Sequence, residues 1–347
     1  MRTLYAGIDL HSNNNVVVVT DEEDAVVYRK RLRNELGDVL NVLSPFEQNL
    51  AGVVVESTYN WYWLVDGLMA EGYGVHLANT GAIQQYSGLK YGDDESDARW
   101  LATLLHLGIL PEGYIYPKEE RPVRDLLRKR AYLVRQRTSN LLSIKNLFAR
   151  NTGRHLSANG VKRLTEAEVD EMLPDADLAL AVKSSVAVMH CIDVQIKTLE
   201  KVVLNRVHLR EDFQRLLTVP GIGSILGLTI MLETGDISRF PTVGDFASYA
   251  RCVGSAHISN GKKKGKGNTK NGNKYLGWAF IEAATFAARY DETIQRYYQR
   301  KKVKAHLMVA KKAVAHKLAR ACYCMLRDQT DFDVHKAFSQ GGIHAFG

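Results

Sequence analysis

The chain has 347 residues, of which 46% are hydrophobic and 24% charged, the composition of an ordinary globular protein and not of a disordered or fibrous one. No uncharged apolar run reaches about 18 residues and no signal-peptide core opens the chain, so neither a membrane span nor a secretory leader is expected. Four cysteines, Cys191, Cys252, Cys322 and Cys324, match no zinc spacing and suit a reducing cytosol, while a net charge of +8 suits a polyanionic partner.

In chain order, residues 1–112 read as an α/β domain. Thr3–Leu10, Val16–Thr20, Ala25–Leu32, Gly52–Glu56 and Gly74–Leu77 are apolar and alternating enough for strands, with helical segments over Leu36–Gln48 and Trp61–Glu71. Three strands joined by tight turns and then strand–helix–strand alternation is the order of a ribonuclease-H-like sheet. The first strand carries Asp9 in the run GIDLH, and burying an unpaired carboxylate costs several kcal/mol, so such a residue belongs at a cleft where something positive meets it. Glu56 ends the strand GVVVE, and Asp94 and Asp97 stand three apart at the start of a helical pattern, on one face. Carboxylates from separate elements can hold one or two hard divalent cations, about 3.5–4 Å apart in two-metal sites, for in-line attack on a phosphodiester. Asp93 and Glu95 are rival ligands; His11 could approach the metal site, but in a hairpin turn it is read as a hydrogen-bonding spectator.

Residues 113–208 read as a helical, coiled-coil linker. Pro117 to Arg150 is a basic amphipathic helix whose Arg124, Arg128, Lys129 and Arg135 are candidate phosphate contacts. A second helical region, Glu166 to about His208 with its main helix opening at Pro174, keeps Leu178, Val182, Val186, Met189, Ile192, Ile196, Leu199 and Val203 near heptad spacing. That stripe is expected to pack on the earlier helix, within the chain or across a dimer.

Residues 209–330 open on LLTVPGIGS, where Gly221 and Gly223 make a tight connection between helices of the helix-hairpin-helix kind, letting backbone N–H groups approach phosphate. Between Ser259 and Lys274 stand six Lys, four Gly and four Asn, which predict a flexible basic loop with Lys262, Lys263, Lys264, Lys266 and Lys270 as nucleic-acid contacts. A serine at the entrance to such a loop is by default a spectator, and the spacing of His257 to Ser259 matches no activating pair. A helix over Lys274–Tyr290 and a basic helical stretch to Thr330 follow; the tail, 331–347, carries no identifiable chemistry.

GIDLH, VVVES, the D-x-x-D-A element of Asp94 and Asp97, PGIG and ISNGKKKGKGNTKNGNKYL, in this order and spacing, resemble the insertion-sequence 110 family of transposases, most closely its 1111 subgroup. The resemblance implies a RuvC-like domain with a DEDD metal site formed by Asp9, Glu56, Asp94 and Asp97, a coiled-coil linker, and a mainly α C-terminal transposase domain whose serine attacks DNA. That serine maps onto Ser259, with Ser255 as a rival because Asn260 separates Ser259 from Gly261. It further implies Mg²⁺, an element-encoded guide RNA pairing with donor and target DNA, a homo-oligomer (dimer or tetramer), and action in the bacterial cytoplasm. Alternatives are a RuvC-like structure-specific endonuclease using water, a non-catalytic nucleic-acid-binding protein, and an actin-like sugar kinase, the last disfavoured because Gly-rich phosphate loops are absent.

Overall fold

A computed structural model describes residues 2–83, 93–254, 257–260, 262–265 and 271–338. The chain forms two compact units, Met1–Lys118 and Glu119–Gly347.

The first unit runs β1 (Leu4–Leu10), β2 (Asn14–Asp21), β3 (Val26–Arg33), α1 (Leu36–Leu43), β4 (Leu50–Glu56), α2 (Tyr62–Ala70), β5 (Val75–Ala78) and α3 (Asp94–His106). The sheet order is β3-β2-β1-β4-β5; β1, β2 and β3 are antiparallel neighbours, while β4 and β5 run parallel to β1. Its central strands are largely apolar because both faces are covered. Ala6, Ile8, Val17, Val53 and Val55 pack with Val39, Leu64 and Leu68 of α1 and α2, and on the other face Val16 and Val18 meet Ala98 of α3. The approach of α3 depends on Gly7, where a Cβ would lie 1.9 Å from the Ala98 carbonyl oxygen and 2.9 Å from the Ala102 nitrogen. The helix expected over Leu36–Gln48 is shorter: α1 stops at Leu43 and Ser44–Asn49 tightens into a 3-10 turn, because Pro45 has no N–H to continue the α ladder.

The second unit contains α4 (Arg121–Thr152), α5 (Ala158–Arg163), α6 (Glu166–Met172), α7 (Ala176–Val207), α8 (Glu211–Leu217), α9 (Ser224–Thr234) and α10 (Val243–Tyr249). There follow β6 (His257–Ser259), β7 (Lys262–Gly265), α11 (Lys274–Tyr290), α12 (Glu292–Lys304), α13 (Leu307–Asp328) and α14 (Val334–Phe338). The heptad stripe of α7 is used within the chain. Arg130 pairs with Glu200 at 2.7 Å and Arg137 with Asp193, so one partner's number rises as the other's falls and α4 and α7 are antiparallel. Val182, Val186 and Met189 fill the far end of this helical hairpin with Leu141, Ile144 and Phe148. By length and composition α7 alone among the described helices could cross a membrane; its buried stripe and its pairing with α4 are those of a packed helix. It starts at Ala176, not Pro174, because the Asp175 carboxylate caps it, accepting from the Asp177 and Leu178 N–H groups.

A second core gathers Phe213, Phe246, Phe280, Leu276, Val314 and Leu318 from α8, α10, α11 and α13. Gly221 lets the α8–α9 connection touch α11: its φ is +86°, and a Cβ would stand 2.4 Å from the Ala287 nitrogen and 2.5 Å from the Ala283 carbonyl oxygen. The stretch expected as a wholly flexible loop instead contains a β-hairpin, β6 paired antiparallel with β7, and Asn260 turns it at φ +50°. Asparagine tolerates that left-handed conformation better than most residues, which lets this polar stretch pair.

Candidate active site and family

In the first unit the register pairs Ile8 with Val55, so Asp9 and Glu56 emerge one step further along, side by side, on the face that α3 covers. Asp93 caps α3 through a reciprocal pair with Ser96, which fixes the first turn and directs Asp97 toward the strands. Asp9, Glu56 and Asp97 line one cavity of about 260 Å³ together with Thr80, Ile83, Trp100 and Leu101. Asp9 is 4% exposed. Burial pushes the Glu56 carboxyl up to about 8, helped by a hydrogen bond to Asp9 and by the charges of Asp9 and Asp97. Asp97 is raised by burial and then by the charges of Asp9, Asp94 and Asp93. Three carboxylates crowded in this way hold a proton or a cation between them, and their all-oxygen donor set fits a hard divalent metal.

Asp94 faces a different environment. It pairs with Arg31 of β3 at 2.5 Å, and that hydrogen bond, with the nearby His11 charge, holds its carboxyl below the usual range. His11 Nε2 lies 3.2 Å from Oδ2 of both Asp9 and Asp94, and ligand atoms of these three residues fall within 4.8 Å of one another. The hairpin turn therefore brings His11 up to the acidic cluster, the approach that its position allowed for. Its backbone is fixed, since both Asn34 and Asn60 donate to the His11 carbonyl, at 3.0 and 2.9 Å. The sequence signal was its position two residues after Asp9, at the same strand end.

In the second unit, the basic residues of α4 divide. Arg121 and Arg124 are buried, and Arg128 binds the buried Glu233 of α9 with both ends of its guanidinium. Lys129 and Arg135 are exposed and flank the Tyr132 ring at 5.1 and 5.9 Å. Gly221 is committed to packing on α11, whereas around Gly223 a Cβ would meet nothing within 4 Å. Ser259 ends β6; Lys262 and Lys264 are exposed on β7, which also contains Lys263. Ser255, Lys266 and Lys270 lie outside the described residues. Glu233 had no sequence signal beyond being an acid in the otherwise apolar helix SILGLTIMLET.

Comparison with known proteins adds a family to this geometry. A DEDD transposase family of the IS110 type matches residues 6–150, spanning all four candidate carboxylates, and the IS116/IS110/IS902 transposase family matches residues 213–299, spanning Gly221, Glu233 and Ser259. The chain belongs to the IS110 family of transposases. Among relatives of this IS110-family chain, a probable family 20 transposase of Pseudomonas aeruginosa is 25% identical over 341 residues, 93% of this chain and 97% of that one. The transposase for insertion sequence element IS1111A of Coxiella burnetii is 24% identical over 294 residues, 82% of this chain and 78% of its own. The transposase for IS1328 of Yersinia enterocolitica is 28% identical over 142 residues, 40% and 42% of the two chains. As an IS110-family transposase the protein is an enzyme that acts on DNA.

Proposed function

We propose that this transposase cuts and rejoins DNA strands through a covalent phosphoserine link formed by Ser259, at a divalent-metal site built on Asp9, Glu56, Asp94 and Asp97, with a guide RNA selecting the DNA. The observation that carries the reading is the cavity of about 260 Å³ on which Asp9, Glu56 and Asp97 converge. The sheet order β3-β2-β1-β4-β5, with one acid on β1 and another on the adjacent β4, supports a ribonuclease-H-like assignment of this unit.

Mg²⁺ bound there would polarise the scissile phosphate and lower the cost of charge building on it. Asp9, Glu56 and Asp97 would hold the ion, and Asp94, which pairs with Arg31, would be the fourth ligand. The Ser259 oxygen would form a bond to phosphorus as the strand's P–O ester bond breaks, the serine proton being matched by one taken up at the leaving oxygen, and the hydroxyl so formed on the released strand end can later reverse the step. The link conserves the phosphodiester energy, in keeping with a chain that has no P-loop motif. Exposed Lys129, Arg135, Lys262 and Lys264 supply charge without a base-reading motif, which suits a protein that leaves sequence selection to base pairing and holds the heteroduplex by shape. Assembly as a dimer or tetramer would let the two units of different copies complete one site.

The test is a denaturing gel of protein, Mg²⁺, labelled element-junction DNA and RNA transcribed from the element's flanks. A protein–DNA adduct that survives denaturation and disappears in Ser259→Ala is the expected result. Cleavage without an adduct, unchanged in that variant, would replace this reading with a nuclease that uses water.

A further inference from the structure

Helix α11 has two faces. Leu276, Ala279, Phe280, Ala283, Ala284 and Ala287 are buried in the core of the second unit. At the surface, Trp278 stands opposite this stripe, Phe286 flanks it, and Tyr290, in line with Leu276 and Ala283, emerges where the helix ends; they are exposed by 41%, 38% and 70%. Phe286 and Tyr290, one turn apart, lie parallel to within 5° with ring centroids 6.4 Å apart. Exposed Lys274 and Arg289 stand at the two ends of this surface; Glu282 is the carboxylate within it, and at the Tyr290 end Asp291 caps α12 while Glu292 pairs with Arg296. At the start of the helix the Tyr275 ring has the Lys274 ammonium at 5.2 Å and the Arg128 guanidinium at 5.0 Å. Three large aromatic surfaces left in water cost free energy, and none of them is used by the chemistry proposed above.

We propose that the exposed surface of α11 binds unpaired nucleotides, their bases stacked on the Phe286–Tyr290 pair at one end and on Trp278 two turns earlier, and their phosphates running past Lys274 and Arg289. The charge argues for nucleic acid over an apolar partner: cations bracket the rings, the lysine-bearing β7 precedes the helix, and α12 after it carries Arg296, Arg300, Lys301, Lys302 and Lys304. The rings argue for a single strand. Paired bases in a duplex present only their edges in the grooves, whereas an unpaired base offers a flat face to a flat ring, in any sequence. The inference does not depend on Ser259, because binding here requires no cleavage.

The experiment measures affinity of the full-length chain for labelled oligo-dT and for a duplex of equal length, by fluorescence anisotropy across a salt series. Replacing both Phe286→Ala and Tyr290→Ala should weaken oligo-dT binding about tenfold or more, leave duplex binding within about twofold, and keep the salt slope, since no phosphate contact is removed. Tyr290→Phe should bind as the native chain does. Oligo-dT should also quench tryptophan fluorescence in the native chain and quench it much less in Trp278→Phe. Equal loss of duplex and single-strand binding, no loss of either, or quenching that persists fully without Trp278 would overturn the proposal. So would a fall in sedimenting mass in the double variant, which would mean that the rings bury against a second copy of the chain. Ser259→Ala should leave all these readings unchanged.

Discussion

Arg128 holds Glu233 through both carboxylate oxygens, at 2.6 and 2.7 Å, and the Asn273 amide donates to the same carboxylate at 2.7 Å. Glu233 is 3% exposed, so its charge is stabilised by these partners and not by water. Asn273 is also the cap of α11, accepting from the Tyr275 and Leu276 N–H groups. One buried carboxylate thus joins α4 and α9 to the point where the chain enters α11.

Removing the guanidinium should therefore damage stability more than nucleic-acid binding. Arg128→Ala is expected to cost about 3 kcal/mol in urea unfolding, because it leaves a buried charge half-paired. Its exposed neighbour should behave in the opposite way: Lys129→Ala should change stability by less than about 0.5 kcal/mol and lower the salt dependence of DNA binding.

The two glycines of PGIG should separate as cleanly. Gly221→Ala puts a methyl group against the backbone of α11 at a positive φ and should cost at least about 2 kcal/mol. Gly223→Ala, with open space around its Cα, should leave the unfolding midpoint nearly unchanged. If Gly223 approaches phosphate, the loss should appear in DNA affinity alone.

For the acidic cavity, Mg²⁺ or Mn²⁺ should raise the thermal unfolding midpoint of the native chain by relieving repulsion among Asp9, Glu56 and Asp97. Asp9→Asn should raise the midpoint of the metal-free protein, abolish most of the metal response and stop cleavage. DNA binding should survive; its loss in equal measure would make Asp9 a structural residue.

The pH dependence follows from Glu56. Its carboxyl is held up to about 8 in the folded protein and titrates near its ordinary value, 4.5, in the unfolded chain. The folded state therefore binds the extra proton, and the stability that this provides is complete below about pH 4.5 and lost as pH rises toward 8. Metal-free protein should show a falling midpoint across that window, and Glu56→Gln should flatten it. A metal that displaces the proton should have the same flattening effect.

The central strands β1, β2 and β4 were legible because burial on both faces leaves a largely apolar signature, and the acids Asp9 and Glu56 stood out against it; β3 is an exposed edge strand without that signature. α11 was legible to the residue, since Asn273 caps it and the core residues keep helical spacing. Contacts between distant positions were not. Nothing local marks Arg31 as the partner of Asp94, or Arg128 as the partner of Glu233, because a basic residue on an amphipathic pattern reads the same whether it meets phosphate or a buried acid. The hairpin β6–β7 was hidden for a related reason: its residues have low strand propensity, and the pairing comes from the turn at Asn260.

The bare α-carbon of residue 7 sets a tolerance. Asp9 is on the strand beneath it and Asp97 on the helix above it, and the gap between strand and helix is closed against the Ala98 carbonyl to a depth that no side chain permits. A single added carbon there would part the two halves of the acidic site like a shim, with every carboxylate still in the sequence. The arrangement of the acidic site can therefore be lost through a position that contributes no atom to it.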